Sequence, residues 1–159
     1  MPPLHYGGMK QQTVTTQFGD LTLTEVDGAI TALGWVRVPQ QHRSALLDEA
    51  AAQLAAYAAG TRQIFDIPLH LQGSAFQRDV CDAMFAIPFG DTVTYGDIAK
   101  ALGVPAQAIG QACGANPIPV IIPCHRVMGA KGLTGFSGAG GIETKVALLR
   151  HEGAASLLI

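Results

Sequence analysis

The sequence is poor in charge and has no long apolar run, and each shortage excludes a class of protein. Only 14% of its 159 residues are charged while 48% are hydrophobic, which favours a folded chain over a disordered one. No apolar run approaches the roughly 18 residues of a membrane span, and no signal-like N-terminus is present, so we expect neither export nor membrane insertion. The net charge of −2 excludes a broadly basic surface, so any nucleic-acid contact must be local.

Cysteine is also scarce. The three cysteines, Cys81, Cys113 and Cys124, are an odd number and include no CxxC pair and no spacing typical of zinc ligands. A disulfide framework is therefore not expected, and neither is a metal or another cofactor. Reduced thiols are typical of the cytoplasm, which is the predicted compartment.

The first 72 residues predict a small α/β layer that follows a loose terminus over 1–10. Alternating apolar residues over 13–38, interrupted by Asp27-Gly28, are typical of strands joined by a hairpin turn. A helix is predicted over 45–59, between a capping serine and a glycine, and residues 65–71 alternate as a further strand. No polar cluster in this part suggests chemistry.

The pattern becomes mostly helical from Gly73 onwards. Ser74 and Gln77 have the spacing of a capping box before a helix that ends near Ile87. Thr94 is placed to cap a second helix, which Gly103 would end.

A short helix over 106–114 then follows after a tight turn, and a last helix is predicted over 142–152. Two short helices joined in this way form either a helix-turn-helix or an ordinary helical corner. The helix over 106–114 carries mainly small residues on one face, which would allow close approach to a packed helix or to a DNA minor groove.

The most informative stretch is 116–127, Asn-Pro-Ile-Pro-Val-Ile-Ile-Pro-Cys-His-Arg-Val. Its three prolines predict an extended, rigid segment that presents Cys124 with His125 directly behind it. A thiol reacts as its thiolate, and an imidazole that accepts its proton is the usual activator. Considered alone, the adjacency of Cys124 and His125 favours the alternative, in which Cys124 is a small buried apolar residue.

The wider string resembles the active-site signature of the O6-alkylguanine-DNA alkyltransferases, also called methylated-DNA–protein-cysteine methyltransferases. The resemblance runs from about Phe76 to Glu152. Its separated motifs occur in the family's order: Phe76-Gln77 with Val80, Ile87-Pro88-Phe89-Gly90, Thr94-Tyr95 with Ile98-Ala99, the 116–127 string, and Leu148-Leu149-Arg150-His151-Glu152.

This resemblance implies an α+β protein with two domains. Residues 1–72 would form a ribonuclease H-like α/β layer, and residues 73–159 a winged-helix-like alkyltransferase domain with a helix-turn-helix that binds DNA. The implied activity is DNA repair by irreversible, single-turnover transfer of an alkyl group from O6-alkylguanine, or O4-alkylthymine, to Cys124 after base flipping. The implied partner is double-stranded DNA contacted through its minor groove, with the protein acting as a monomer and no membrane involved.

The resemblance also assigns catalytic roles. Cys124 would be the nucleophile, His125 would take its proton directly or through water, and Glu152 would orient the imidazole. Asn116 would brace the turn that carries Cys124. Tyr95 would promote flipping and donate a hydrogen bond to the departing base.

Substrate and DNA contacts follow from the same comparison. The guanine would be bound by Tyr95, Val127, Phe136, Ser137 and Gly138, and the DNA by Thr94, Ala106, Gln107, Gly110, Gln111 and Arg126. Two positions depart from the family pattern. Gln107 stands where an arginine usually fills the space of the flipped nucleotide, and Phe136 stands where many members have tyrosine.

Two other functions are compatible with parts of the sequence. A lesion-binding protein that does not transfer the alkyl group would resemble the alkyltransferase-like proteins, but those replace the cysteine that is present here as Cys124. A cysteine hydrolase could use a Cys-His-Glu set. It would also need an oxyanion hole, for which no motif stands out.

Overall fold

The computed structural model describes residues 8–130 and 141–154. Its α-carbons cluster into two compact units, Met1–Gln72 and Gly73–Ile159. The protein is a mixed α+β fold, as the sequence predicts, with its antiparallel sheet in the first unit and most of its helices in the second. In the part of the chain that is described, no helix has the length and apolarity to cross a bilayer.

The sheet of the first unit is an antiparallel meander of β1 (Met9–Thr16), β2 (Gly19–Val26) and β3 (Ala29–Gly34). The predicted hairpin turn is confirmed, since Asp27 and Gly28 have φ angles of 50° and 81°. Two consecutive positive φ angles match the right-handed twist of the flanking strands. The first strand begins at Met9, so the loose terminus predicted over residues 1–10 extends too far.

The predicted helix is confirmed as α1 (Ala45–Ala59). Ser44 caps it by accepting a hydrogen bond from the Leu47 N–H, and Gly60 ends it in the left-handed conformation at φ 84°. The helix packs on β1 and β2. The core of this unit contains the buried side chains Leu21, Leu23, Ile30, Leu33, Leu47, Leu54, Tyr57 and Phe65.

The strand predicted over 65–71 is wrong. This segment forms a single parallel bridge, between Ile30 and Leu69, in which the Ile30 N–H donates to the Pro68 carbonyl and the His70 N–H donates to the Ile30 carbonyl. Pro68 has no N–H to extend a ladder. The apolar alternation therefore predicts which side chains face inward, but it does not predict that the segment pairs as a strand.

The second unit opens with α2 (Ala75–Phe85). Ser74 caps it as predicted, by accepting from the Gln77 N–H. The Gln77 side chain does not complete a capping box, because it donates to the Ala112 carbonyl at 2.8 Å. That bond ties α2 to a helix that follows much later in the chain.

Two helices joined by a short turn follow, α3 (Tyr95–Leu102) and α4 (Ala106–Gly114), and both have the predicted bounds. Thr94 accepts from the Asp97 N–H while the Asp97 carboxylate accepts from the Thr94 N–H, a capping box that fixes the start of α3. Gly103 ends α3 at φ 69°.

The chain then forms a one-turn 3-10 helix (Cys124–Arg126), β5 (Val127–Met128) and α5 (Ile142–His151). Strand β5 pairs in parallel with β4 (Val93–Thr94). This pairing brings the start of α3 beside the segment that follows Cys124.

Candidate active site

The segment that precedes Cys124 folds back on itself, so the extended conformation predicted for it is wrong. The Asn116 side chain holds the fold, because its amide donates to the Ile122 carbonyl at 2.8 Å and its oxygen accepts from the Ile118 N–H at 3.0 Å. The Ile122 N–H in turn donates to the Ile118 carbonyl at 2.9 Å. Asn116 is buried, and it braces the turn leading to Cys124.

Backbone strain accompanies this turn. Val120 is 1% exposed and has φ of +73°, a left-handed conformation that costs a β-branched residue free energy. Prolines on both sides prevent the segment from relaxing into a helix.

Cys124 begins the 3-10 helix, and its side chain is almost entirely buried, with 5% of the residue exposed. Burial raises the pKa of its thiol, whereas the Asn116 amide and then the positive charge of Lys145 lower that pKa. Burial dominates at the other cysteines as well. Cys113 donates to the Met84 sulfur at 3.5 Å, and burial raises the pKa of its thiol to about 12.

His125 lies directly after Cys124 and is fully buried. Its Nε2 is 2.7 Å from Glu152 Oε2, so the ring proton belongs on Nε2, where it is donated to the carboxylate. Burial lowers the pKa of the imidazole, which keeps the ring neutral at physiological pH. Nδ1 is therefore an unprotonated nitrogen, and it is buried without a hydrogen-bond partner among residues 8–130 and 141–154.

Glu152 is a buried carboxylate held ionised by two neighbours. Burial would raise its pKa, but the hydrogen bonds from His125 and Arg126 outweigh burial and hold the pKa at about 2. Arg126 supplies a permanent positive charge, because its guanidinium is always protonated, and it binds both carboxylate oxygens, at 2.7 and 3.0 Å. The remaining Arg126 nitrogen, Nη1, donates to the Ile87 carbonyl at 2.6 Å.

The prediction that Arg126 binds DNA is therefore wrong. The residue is only 6% exposed, its guanidinium lies 5.8 Å from the centre of the Phe89 ring, and each of its three nitrogens donates a hydrogen bond to Glu152 or Ile87. A guanidinium enclosed in this way cannot reach a phosphate. The basic residue that the sequence offers to DNA serves instead to hold the carboxylate behind His125.

Lys145 belongs to the same cluster and was missed by sequence reasoning. It is fully buried on α5, and its Nζ donates to the Val127 carbonyl at 2.7 Å. Its spacing offered a signal, since it lies three residues after Ile142 and four before Leu149, on the apolar stripe of the helix. A lysine at such a position must bury its ammonium or extend it to the surface.

The predicted DNA-contacting residues of the two-helix segment lie at or near the surface. Ala106, Gln107 and Gln111 are exposed on α4, and Thr94 and Tyr95 are half-buried at the start of α3. A Cβ added to Gly110 would meet no other atom of the described chain within 4 Å. The glycine at position 110 is thus not explained by a neighbouring helix in the part of the protein described.

Three predicted substrate contacts, Phe136, Ser137 and Gly138, lie outside the described residues. The described ranges contain no cluster of histidine, cysteine and acidic residues that could hold a metal ion. The site therefore consists of Cys124, His125 and their buried neighbours.

Comparison with known proteins supplies independent information. The family profile described as "6-O-methylguanine DNA methyltransferase, DNA binding domain" matches residues 75–154. A methylated-DNA–protein-cysteine methyltransferase from Mycolicibacterium paratuberculosis is 42% identical over 159 aligned residues, which cover 91% of this chain and 92% of that protein.

Solved structures give the same result. The O6-methylguanine methyltransferase of Mycobacterium tuberculosis superimposes with a TM-score of 0.80 at 39% identity, covering 91% of this chain and 93% of that one. The protein from the same organism described as OGT in complex with DNA has a TM-score of 0.81 at 40% identity, covering 92% of this chain and 96% of that one.

Proposed function

Because the chain belongs to the family of the methylated-DNA–protein-cysteine methyltransferases, we propose that Cys124 receives the alkyl group in its reaction. The protein acts in DNA repair by alkyl transfer, and its partner is DNA. The assignment to Cys124 rests on the arrangement of His125 and Glu152 next to it. A neutral imidazole, held at Nε2 by an ionised carboxylate, follows the thiol directly and leaves a buried basic nitrogen unpartnered.

The chemistry requires a thiolate. His125 Nδ1 accepts the Cys124 proton, directly or through water. Glu152 then stabilises the imidazolium, and Arg126 keeps that carboxylate ionised throughout.

The thiolate sulfur attacks the alkyl carbon of O6-alkylguanine and forms a carbon–sulfur bond as the carbon–oxygen bond breaks. The electron pair of the broken bond goes to O6, and the guanine takes up one proton from a hydrogen-bond donor. Tyr95, at the start of α3, is the side chain we assign to that donation. The thioether has no good leaving group, so each protein molecule reacts once.

The base must leave the helix to reach Cys124, at a cost of a few kcal/mol that is smallest for a poorly paired lesion. Tyr95 and Thr94 border the site where β4 pairs with β5, and we assign Tyr95 the role of pushing the nucleotide out. The Val127 carbonyl accepts from Lys145 and keeps a second lone pair for the guanine amine. Phe136, Ser137 and Gly138 complete this proposed base-binding pocket.

The exposed face of α4 is the proposed DNA surface, with Ala106, Gly110 and Gln111 against the minor groove. Gln107 would occupy the space of the flipped base, but it provides neither the charge nor the stacking area of an arginine. Gln107→Arg should tighten binding to duplex DNA, as measured by fluorescence anisotropy at fixed salt. Unchanged affinity would show that this face of α4 does not enter DNA.

Finer features of the architecture are also proposals. We assign residues 1–72 to a ribonuclease H-like layer and residues 73–159 to a winged-helix-like domain whose helix-turn-helix is α3 and α4. We place the protein in the cytoplasm, because its three cysteines are free and Cys124 must remain reduced to react. We also propose that it acts as a monomer.

One experiment separates the candidate functions. The protein is incubated with O6-benzylguanine, and the intact mass and the peptides are then measured. Transfer predicts one benzyl group per chain on Cys124, with one equivalent of guanine released. A lesion-binding protein would gain no adduct, and a hydrolase would release guanine over many turnovers without one. Either of the last two results would refute the assignment.

A further inference from the structure

The second unit contains a short uncharged loop that contacts two residues of the candidate site. The chain leaves α2 and enters the 87–90 loop, whose sequence is Ile-Pro-Phe-Gly. A hydrogen bond of 3.0 Å from the Asp91 N–H to the Pro88 carbonyl closes the loop as a turn. Gly90 has a φ of +88° at the third position of this turn, as a type II turn requires. A proline and a glycine therefore determine the course of the loop.

This loop touches both members of the buried ion pair. The Ile87 carbonyl accepts from Arg126 Nη1 at 2.6 Å, and the centre of the Phe89 ring lies 5.8 Å from the carbon of the Arg126 guanidinium. A Cβ on Gly90 would lie 3.4 Å from the backbone carbonyl oxygen of Glu152. The loop therefore contacts the pair through a carbonyl, an aromatic ring and a close backbone approach.

The position of Arg126 determines the geometry of the carboxylate that His125 uses. Glu152 Oε2 accepts from His125 Nε2 at 2.7 Å and also from Arg126 Nη2 at 3.0 Å, while Oε1 accepts from Arg126 Nε at 2.7 Å. Because one oxygen serves both partners, a displaced guanidinium would turn the carboxylate away from the imidazole. A group that holds Arg126 in place therefore also holds the orientation of His125.

Phe89 is suited to hold Arg126 without competing with Glu152. All three guanidinium nitrogens already donate to Glu152 or Ile87. An aromatic ring needs no donor, because its face attracts the cation through the ring quadrupole, and the attraction is stronger where water is excluded. The titratable groups that face Glu152 are His125 and Arg126, and the 87–90 loop adds no charge to them.

Resting on the proposed function, we propose that Phe89 is a positioning residue of the alkyl-transfer reaction. Its ring holds the Arg126 guanidinium, which in turn holds the Glu152 carboxylate. That carboxylate keeps the ring proton of His125 on Nε2 and leaves Nδ1 as the base for Cys124.

The first test changes the electron density of the ring and keeps its shape. Phe89 is replaced in the full-length protein by 4-fluorophenylalanine and by 3,4,5-trifluorophenylalanine, which weaken the quadrupole in steps. Benzyl transfer from O6-benzylguanine is followed in single turnover by intact mass. We expect the rate constant to fall in steps, by roughly two- to tenfold in the trifluoro variant, while the final amplitude stays the same.

Amplitude and rate constant separate positioning from structural support. The amplitude counts the molecules able to react, and the rate constant describes each of them. A lower amplitude with an unchanged rate constant would mean only that fewer molecules are folded, and it would overturn the proposal. A rate constant that is equal across the fluorinated series would also overturn it.

The second test removes the ring. Phe89→Leu keeps an apolar side chain without a ring face and should slow transfer, whereas Phe89→Tyr keeps the ring and should retain the rate. Phe85→Leu is the matched control, because Phe85 ends α2 with 44% of the residue exposed. Its rate should equal that of the unmodified protein. A normal rate in Phe89→Leu, or equal slowing in Phe89→Tyr or Phe85→Leu, would overturn the proposal.

A third measurement needs no guanine. Nitrogen NMR at pH 7.5 follows the exchange of the His125 Nε2 proton with water. We expect exchange to be roughly two- to tenfold faster in Phe89→Leu, beyond any rise in the unfolding constant measured with urea, and unchanged in Phe85→Leu. Equal exchange in both variants would overturn the proposal. Failure of the unmodified protein to take up a benzyl group would count against the proposed function alone.

Discussion

The two units of the chain differ in where their ion-paired side chains lie. In the first unit the ion pairs lie at the surface, where Arg43 binds Asp48 and Arg37 binds Asp20 with largely exposed side chains. In the second unit Arg126, Glu152 and Lys145 are buried together with His125. Exposed pairs contribute little to stability, whereas buried charges carry a desolvation cost.

The carboxylates of Asp48 and Glu152 illustrate this difference. The hydrogen bond from Arg43 lowers the pKa of Asp48, whose side chain is 41% exposed. Glu152 also has a lowered pKa, but its neighbours must first overcome burial, which acts in the opposite direction. In the proposed function, this arrangement holds His125 as a neutral base beside Cys124.

The largest expected effect comes from comparing one histidine substitution in each unit. His125→Ala should slow benzyl transfer from O6-benzylguanine by about 100-fold or more, because a positioned base contributes roughly that much to a proton transfer. His42 is the control in the first unit, where its Nδ1 binds the Gln11 N–H at 3.0 Å. His42→Ala should leave the rate unchanged, and equal rates in both variants would rule out the relay.

The second prediction compares the carboxylates directly. Glu152→Gln leaves Arg126 buried without a counter-charge and should lower the free energy of unfolding by about 3–5 kcal/mol, as measured by urea denaturation. Asp48→Asn removes an exposed partner and should leave that free energy close to its original value. Similar losses of unfolding free energy in the two variants would show that burial does not make the Arg126–Glu152 pair more important for stability than the Arg43–Asp48 pair.

The pH dependence of stability gives the third prediction. Glu152 has a folded pKa of about 2 against an ordinary value of 4.5, so its contribution is complete above pH 4.5 and declines as the pH falls toward 2. The shift corresponds to about 3 kcal/mol. Unfolding measured from pH 7 to pH 3 should therefore show a shallower loss below pH 4.5 in Glu152→Gln than in the unmodified protein. Parallel curves would contradict the assignment of the shift to this residue.

The smallest expected effect comes from comparing substitutions on the surfaces of α4 and α1. Gly110→Ala adds a methyl group in open space and should stabilise the fold by about 0.5–1 kcal/mol, because glycine is a poor helix residue. The same change should weaken duplex DNA binding if α4 approaches a groove. Ala55 is exposed on α1, and Ala55→Gly should cost a similar free energy without altering DNA binding. Unchanged affinity in Gly110→Ala would indicate that the glycine does not serve DNA contact.

Local chemistry explains which elements could be predicted. The bounds of α1, α3 and α4 follow from caps and terminating glycines that lie within a few residues of each helix end, such as Thr94 and Gly103. The strand expected over 65–71 failed because strand pairing needs a partner far away in the chain. Pro68 permits only one bridge there.

The candidate site also has a part that could be predicted from local sequence and a part that could not. The string around Cys124, together with the segment that ends at Glu152, was enough to predict the family and to nominate the residues proposed to carry the chemistry, because those motifs are contiguous in the chain. Only the tertiary structure decided what surrounds them. It placed Arg126 against Glu152 rather than DNA, folded the Asn116 turn back on itself and buried Lys145 beside the Val127 carbonyl. The physical reason is that the environment of a charge depends on burial and on partners 18 to 39 residues away, which local sequence does not specify.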